Sequence, residues 1–157
     1  MESGTDVRYS HRDDELAGQP IGYWSWAAHK AVVGHIREAL GRRGISQPQW
    51  WILAQLADSE DGRTREELTA VLGGYLDVGG LLESEMDGVV AQGWADQDRA
   101  ERLRITAEGA AFHTGLARLQ QELRARIHHG IPDEEYVQAL KVLQRMIHNV
   151  GGRAWHH

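Results

Sequence analysis

No cysteine occurs among the 157 residues, which removes disulfides, thiolate catalysis, zinc ribbons and iron–sulfur ligation together. No apolar run approaches the roughly 20 residues of a spanning helix, and no basic start leads into an apolar stretch at the N-terminus. The expectation is a cytoplasmic chain with no membrane partner. Also missing are an HExxH pair, a glycine-rich phosphate loop, a Gly-x-Ser-x-Gly elbow and any two histidines four residues apart. Nine histidines remain, but His128 and His129 are adjacent and face different sides of a helix, while His156 and His157 belong to a C-terminal tail, so neither a metal nor a cofactor is expected. Apolar residues at 41% and charged residues at 25% exclude a disordered acidic tail, and the length is that of one domain able to bury a core. The formal charge of −6 works against a polyanionic partner, nucleic acid above all.

Residues 1–19 are polar and without apolar periodicity, and read as a mobile tail. From Ile21 to Leu40 the apolar residues Trp24, Ala28, Ala31, Val32, Ile36, Ala39 and Leu40 recur at helical spacing. Gly41 and Gly44 release this helix, and Ser46 with Pro48 opens a second one with the stripe Trp50, Leu53, Ala54 and Ala57. Thr64 and Glu67 form a capping box for a short third helix with Leu68, Val71 and Leu72 inside. After Gly73 and Gly74, Asp77 is placed to cap a fourth helix carrying Val78, Leu82, Met86 and Val89 and closed by Gly93. Trp94–Asp96 and Arg102–Ile105 read as a hairpin. Thr106 caps a long helix with Phe112, Leu116, Leu119, Leu123 and Ile127 in register, and Pro132 starts the last, with Tyr136, Leu140, Leu143, Ile147 and Val150. The first and the last two helices carry more apolar surface than three short central helices cover, so a homodimer is expected.

This order is the layout of a mainly α winged helix-turn-helix with a small β-hairpin wing and flanking dimerisation helices. The stretch Gly44-Ile-Ser-Gln-Pro-Gln-Trp-Trp-Ile-Leu53, the Thr64-Arg-Glu-Glu-Leu68 helix start, and Arg99 followed by Leu103-Arg-Ile-Thr-Ala-Glu-Gly109 resemble the MarR family of bacterial regulators. Pro20-Ile-Gly-Tyr-Trp24 resembles the opening of an actinobacterial branch of that family. The resemblance covers 20–150, with 46–106 as the winged helix, 20–44 and 107–150 as dimerisation helices, and 151–157 as a tail. It implies a dimer whose fourth helices enter successive major grooves, wings that reach the minor groove, and a small-molecule pocket between the first, second and fifth helices. It also implies release of DNA by aromatic ligands, which is a coupling free energy between two sites. Arg99 matches the family's wing arginine, whereas the family's aspartate two residues earlier is Gln97 here.

Groove readers carry donors on the recognition helix, because phosphates and most base edges are read by donors. From Glu66 to Asp98 there is no lysine or arginine against eight acids, Glu66, Glu67, Asp77, Glu83, Glu85, Asp87, Asp96 and Asp98. The segment is net −8, so charge disfavours the duplex that the resemblance implies. The flanking arginines Arg63, Arg65, Arg99, Arg102 and Arg104 either pair with these acids or hold backbone phosphates. Arg63, Arg65, Ser84, Arg99 and Arg102 are the DNA-contact candidates.

Tyr23, Trp24, Trp26, Trp50, Trp51 and Tyr75 are candidates for lining one cavity for an aromatic or polyketide-like molecule. Consecutive tryptophans do not both point inward from one helix face, so one of Trp50 and Trp51 is expected to face a cavity or the dimer seam. His29, about one and a half turns beyond Tyr23 and Trp24, adds a titratable group. Two functions follow. One is a ligand-responsive transcriptional regulator. The other keeps the pocket without the DNA, as a small-molecule-binding protein or an acid–base enzyme of the dehydration or cyclisation type in secondary metabolism. There His29, Tyr23 or Tyr75 moves the proton and Asp77 or Glu83 is the carboxylate.

Overall fold

The computed structural model describes residues 7–74 and 81–154. Along them run α1 (Asp13–Leu16), α2 (Ile21–Gly41), α3 (Gln47–Ala57), β1 (Arg63–Thr64), α4 (Arg65–Leu72), α5 (Leu82–Ala91), β2 (Ala95–Gln97), β3 (Arg102–Ile105), α6 (Ala107–Ile127) and α7 (Asp133–Asn149). Two compact units result, one of Ile36–Leu123 and one of the residues up to His35 together with Arg124–Ala154.

In the Ile36–Leu123 unit the local signals act as physical chemistry dictates. The Ser46 hydroxyl accepts from the Gln49 amide at 3.2 Å and the Gln49 side chain accepts from the Ser46 amide at 3.1 Å, which starts α3. Thr64 and Glu67 reciprocate at 3.1 Å each and start α4. Thr106 accepts from Gly109 at 3.0 Å at the head of α6 and donates to the Gly93 carbonyl at 2.6 Å. The core is Ile52, Leu53 and Leu56 of α3, Leu68 and Leu72 of α4, Leu82, Met86 and Val89 of α5, with Leu40, Ile45, Trp94, Ala95, Leu103 and Leu116. The sheet is antiparallel in the order β1-β3-β2, with Arg63 opposite Leu103 and Asp96 opposite Arg104. Gly62, at a φ of 74°, lies against the Leu103 carbonyl, where a side chain does not fit.

The other unit has no buried apolar side chain among its described residues. On α2, Ile21, Tyr23, Trp24 and Trp26 are exposed, and so are Ile131 before α7 and Val137, Leu140 and Met146 on it. Nothing in α7 is buried. No helix among the described residues is long and apolar enough to cross a membrane.

Four expectations change. Residues 1–19 are not wholly a tail, because Asp13–Leu16 is helical, its start capped where the Arg12 amide donates to Glu15 at 3.1 Å. The hairpin is one edge of a three-stranded sheet, since β1 gains its strand character only from pairing with β3. The fourth predicted helix begins later: α5 starts at Leu82 with Leu81 in the N-cap position and no side-chain cap, while the proposed cap Asp77, with Val78, Gly79 and Gly80, lies outside the described residues. The buried face of α3 is Ile52, Leu53 and Leu56, and Trp50 and Trp51 both stay half-buried against the core, with Ala57 exposed.

The tightest packing is at the head of α6, where Gly109 lies on the Trp94 backbone and the Trp94 ring stacks on Phe112 at 4.6 Å. A methyl at Gly109 runs into the Trp94 carbonyl. Gly109→Ala is expected to cost about 1–3 kcal/mol in chemical denaturation followed by tryptophan fluorescence. Gly115→Ala, with open space around it on the same helix, is expected to gain about 0.5–1 kcal/mol.

Candidate nucleic-acid interface

The interface is built from α4, α5 and the β2–β3 wing, all within the Ile36–Leu123 unit. Burying Leu82, Met86 and Val89 turns Ser84, Asp87 and Ala91 outward on α5, with Glu83 at their flank. This outward face has one side-chain donor, the Ser84 hydroxyl. Its two carboxylates meet Arg65, the first residue of α4. The Arg65 guanidinium donates to Glu83 at 2.8 Å through Nη1, contacts Asp87 at 2.8 Å through Nη2, and reaches the Gln97 amide oxygen of the wing at 3.4 Å. Its side chain is 24% exposed, against 68% for Glu83 and 69% for Asp87. Partial burial disfavours the charge on Arg65, but hydrogen bonds and charges from Glu83 and Asp87 outweigh it and hold the guanidinium above its ordinary pKa.

The third α5 carboxylate is turned the other way. Glu85 accepts from the Ser46 hydroxyl at 2.5 Å, which ties the reader helix to the start of α3. The chain of contacts continues to α2 within the same unit, where Arg37 donates to the side chain of the buried Gln47 at 3.1 Å.

The wing arginines are also engaged. Arg102 donates to the carbonyls of Asp61 and Gly62 at 3.1 Å each and lies 3.5 Å from Glu67. Arg104 donates to Asp98 at 3.2 Å and to the Glu60 carbonyl at 3.1 Å. Arg63 points back to the Gln55 carbonyl at 3.4 Å. Arg99 stands exposed in the turn between β2 and β3, without an ion pair among the described residues. Of the five DNA-contact candidates, then, Ser84 and Arg99 are outward and without a side-chain partner among the described residues, while Arg63, Arg65 and Arg102 hold protein groups. Counted over 46–106, five arginines face twelve acids, a net of −7.

The ligand and catalytic candidates divide between the units. Tyr23, Trp24 and His29 lie on α2 in the unit that ends at His35, all exposed, with the Tyr23 ring edge-on to Trp24 at 5.3 Å and 6.2 Å from Trp26. Trp50 and Trp51 lie on α3 in the other unit. Tyr75 and Asp77 are outside the described residues. Glu83 is committed to Arg65. Among the described residues no three histidines, aspartates or glutamates converge on a metal position.

Sequence reasoning missed the Asp87 and Gln97 contacts of Arg65 and the Ser46–Glu85 tie. One signal was present: Glu83 and Asp87 are four apart on one helix, a like-charge pair that is unfavourable without a cation between them. The partner itself, 18 residues before Glu83, is set by the helix-turn-helix and not by local spacing.

No protein-family model and no curated protein matches the sequence. Solved structures do. A MarR-family transcriptional regulator from Silicibacter pomeroyi superposes with a TM-score of 0.70 at 17% identity, over 89% of this chain and 99% of that one. A Mycobacterium tuberculosis MarR-family protein in complex with DNA gives 0.64 at 16%, over 82% and 98%. CouR from Rhodococcus jostii RHA1, bound to p-coumaroyl-CoA, gives 0.66 at 21%, over 82% and 92%. The chain therefore has the MarR-type winged helix-turn-helix fold.

Asp98 organises the wing turn. Its carboxylate accepts from the Arg102 and Ala100 amides at 2.9 Å each, and Glu101 closes the turn at a φ of 60°. The Arg102 amide above all, then Arg104 and the Ala100 amide, hold the Asp98 carboxyl below the ordinary aspartate pKa. A depressed carboxylate pKa contributes order above the ordinary aspartate value and loses it as pH falls through the folded value. A carboxyl-carbon NMR titration is expected to place the Asp98 midpoint below that of a free aspartate, and Asp98→Asn to speed amide exchange at Ala100 and Arg102. A midpoint at the ordinary value removes this account.

Proposed function

We propose that this protein is a ligand-responsive transcriptional regulator that acts in the cytoplasm as a homodimer and binds duplex DNA through α5 and the wing. The observation that carries the reading is the set of reader elements on one core: α4, α5 and a three-stranded wing, with Ser84 and Arg99 outward. The DNA and p-coumaroyl-CoA complexes of proteins with this fold support the two kinds of partner. The exposed apolar side chains of α2 and α7 support a second copy as their cover, since such surface is stabilised by removal from water at about 25 cal/mol per Å². Two aromatic groups, Tyr23–Trp24–Trp26 and Trp50–Trp51, are each proposed to respond to an aromatic ligand, with His29 and Tyr75 as further candidates.

The charge sets how this regulator behaves. With −7 over the winged helix, few phosphates are neutralised and long-range repulsion opposes the duplex, so affinity is low and falls only gradually with salt. No observation favours the enzyme reading. Its one described carboxylate, Glu83, is exposed and ion-paired, unlike a group tuned for proton transfer.

Titration of a fluorescent duplex from the protein's own upstream region is expected to give saturable binding at low salt that weakens with a shallow slope as salt rises. Absence of binding at low salt defeats the reading. Leu140→Glu is expected to convert the dimer to monomer in sedimentation and to remove duplex binding with it. A wild type that sediments as a monomer overturns the dimer.

A further inference from the structure

The outward face of α5 carries two carboxylates beside the Ser84 hydroxyl. Glu83 uses Oε2 and Asp87 uses Oδ1 on Arg65, so each carboxylate keeps its second oxygen without a partner among the described residues. Both side chains are more than two-thirds exposed, Glu83 being the second and Asp87 the sixth of the ten residues of the helix that a helix-turn-helix lays along base edges. The shared guanidinium cancels one of the two charges and fixes both side chains, because one planar fork holds them a helical turn apart.

We propose that Glu83 and Asp87 read the major groove as acceptors, with cytosine N4 amines as their targets, and that Arg65 is the positioning residue that makes this possible. This rests on the regulator reading above. Among base edges, the cytosine amine is the donor a carboxylate matches. Adenine also offers an amine, but with the N7 acceptor beside it, which repels the second carboxylate oxygen. Thymine O4 and guanine O6 and N7 are acceptors and are rejected. The reader thus selects cytosine by attraction and the other bases by unpaired or like-charged contacts. Gln97, at 3.4 Å from Arg65, links the wing to the same guanidinium, so wing and reader helix are aligned by one group.

The experiment is selection of binders from a randomised duplex pool at low salt with the full-length protein, followed by titration of the selected duplex and of single-base variants. Wild type is expected to select cytosine at one or two fixed positions in each half-site and to lose about tenfold when that C·G pair becomes T·A. Glu83→Gln and Asp87→Asn put an amide donor where an acceptor was. At least one of them is expected to erase that tenfold preference, because the amide donates to thymine O4. Arg65→Gln is expected to weaken binding to every duplex, and thermal melts of all variants establish that they fold. A uniform rise in affinity for all duplexes in the two carboxylate variants, with base preference unchanged, overturns the proposal and leaves Glu83 and Asp87 as masks over Arg65. Unchanged preference without that rise overturns it as well. A wild type that binds no duplex fails the regulator reading itself, which the wild-type titration registers before any variant is made.

Discussion

The guanidinium of Arg65 is the contact on which the reader surface depends. It leaves the first turn of α4, meets two carboxylates a turn apart on α5 and touches the wing through Gln97. Without it, Glu83 and Asp87 are like charges four apart on a helix whose start has no side-chain cap and which contains Gly88, at a cost of roughly 1 kcal/mol relative to alanine. Such a helix is not stable by its own propensity. It is held by tertiary contacts: Leu82, Met86 and Val89 in the core, Glu85 on Ser46, and the Arg65 bridge. The acids of its first turn also suit the positive end of the helix dipole, so they stabilise the helix while opposing a phosphate backbone.

A second constraint is where the core lies. Every buried apolar side chain described belongs to the Ile36–Leu123 unit, around α3, α4, α5 and the sheet. The exposed rings on α2 and the bare stripe of α7 are the converse. One unit can fold by its own burial, while the apolar side chains of the other stand exposed. Under the proposed function duplex affinity depends on chain concentration as well as on salt, because only a dimer would present two readers at a fixed spacing.

Much of this was legible in the sequence because it is local. The Ser46, Thr64 and Thr106 caps each act within three residues, and the structure has all three helix starts where those residues stand. The apolar spacing of α6 is likewise seen in the burial of Leu116 with Phe112 and Leu119 against the core. The illegible parts are non-local. Two residues, Arg63 and Thr64, have no strand pattern of their own and become β1 only by pairing with β3 some 40 residues later. The inward turn of Glu85 needs Ser46, 39 positions away, and the Arg65 bridge needs the whole helix-turn-helix. For the candidate site, sequence counting found the charge and the arginines. Which acids matter was set by partners that only the fold brings near.

Those partners change what the acidity means. Of the acids between Glu66 and Asp98, Glu67 caps α4 and lies near Arg102, Asp98 builds the wing turn, and Glu85 ties α5 to α3. Each is consumed by a structural bond, and each would be costly to exchange for a lysine. Glu83 and Asp87 differ, since the second oxygen of each carboxylate has no partner among the described residues, on the face that α5 turns outward. A uniform acidic cloud repels any duplex equally and carries no sequence information. Two fixed acceptors on a neutralising arginine repel most base edges and match one, so the same charge that weakens phosphate binding is able to sharpen discrimination. On the proposed reading low affinity and base selectivity have a common origin, since the arginine that could hold a phosphate holds instead the two carboxylates that α5 turns outward.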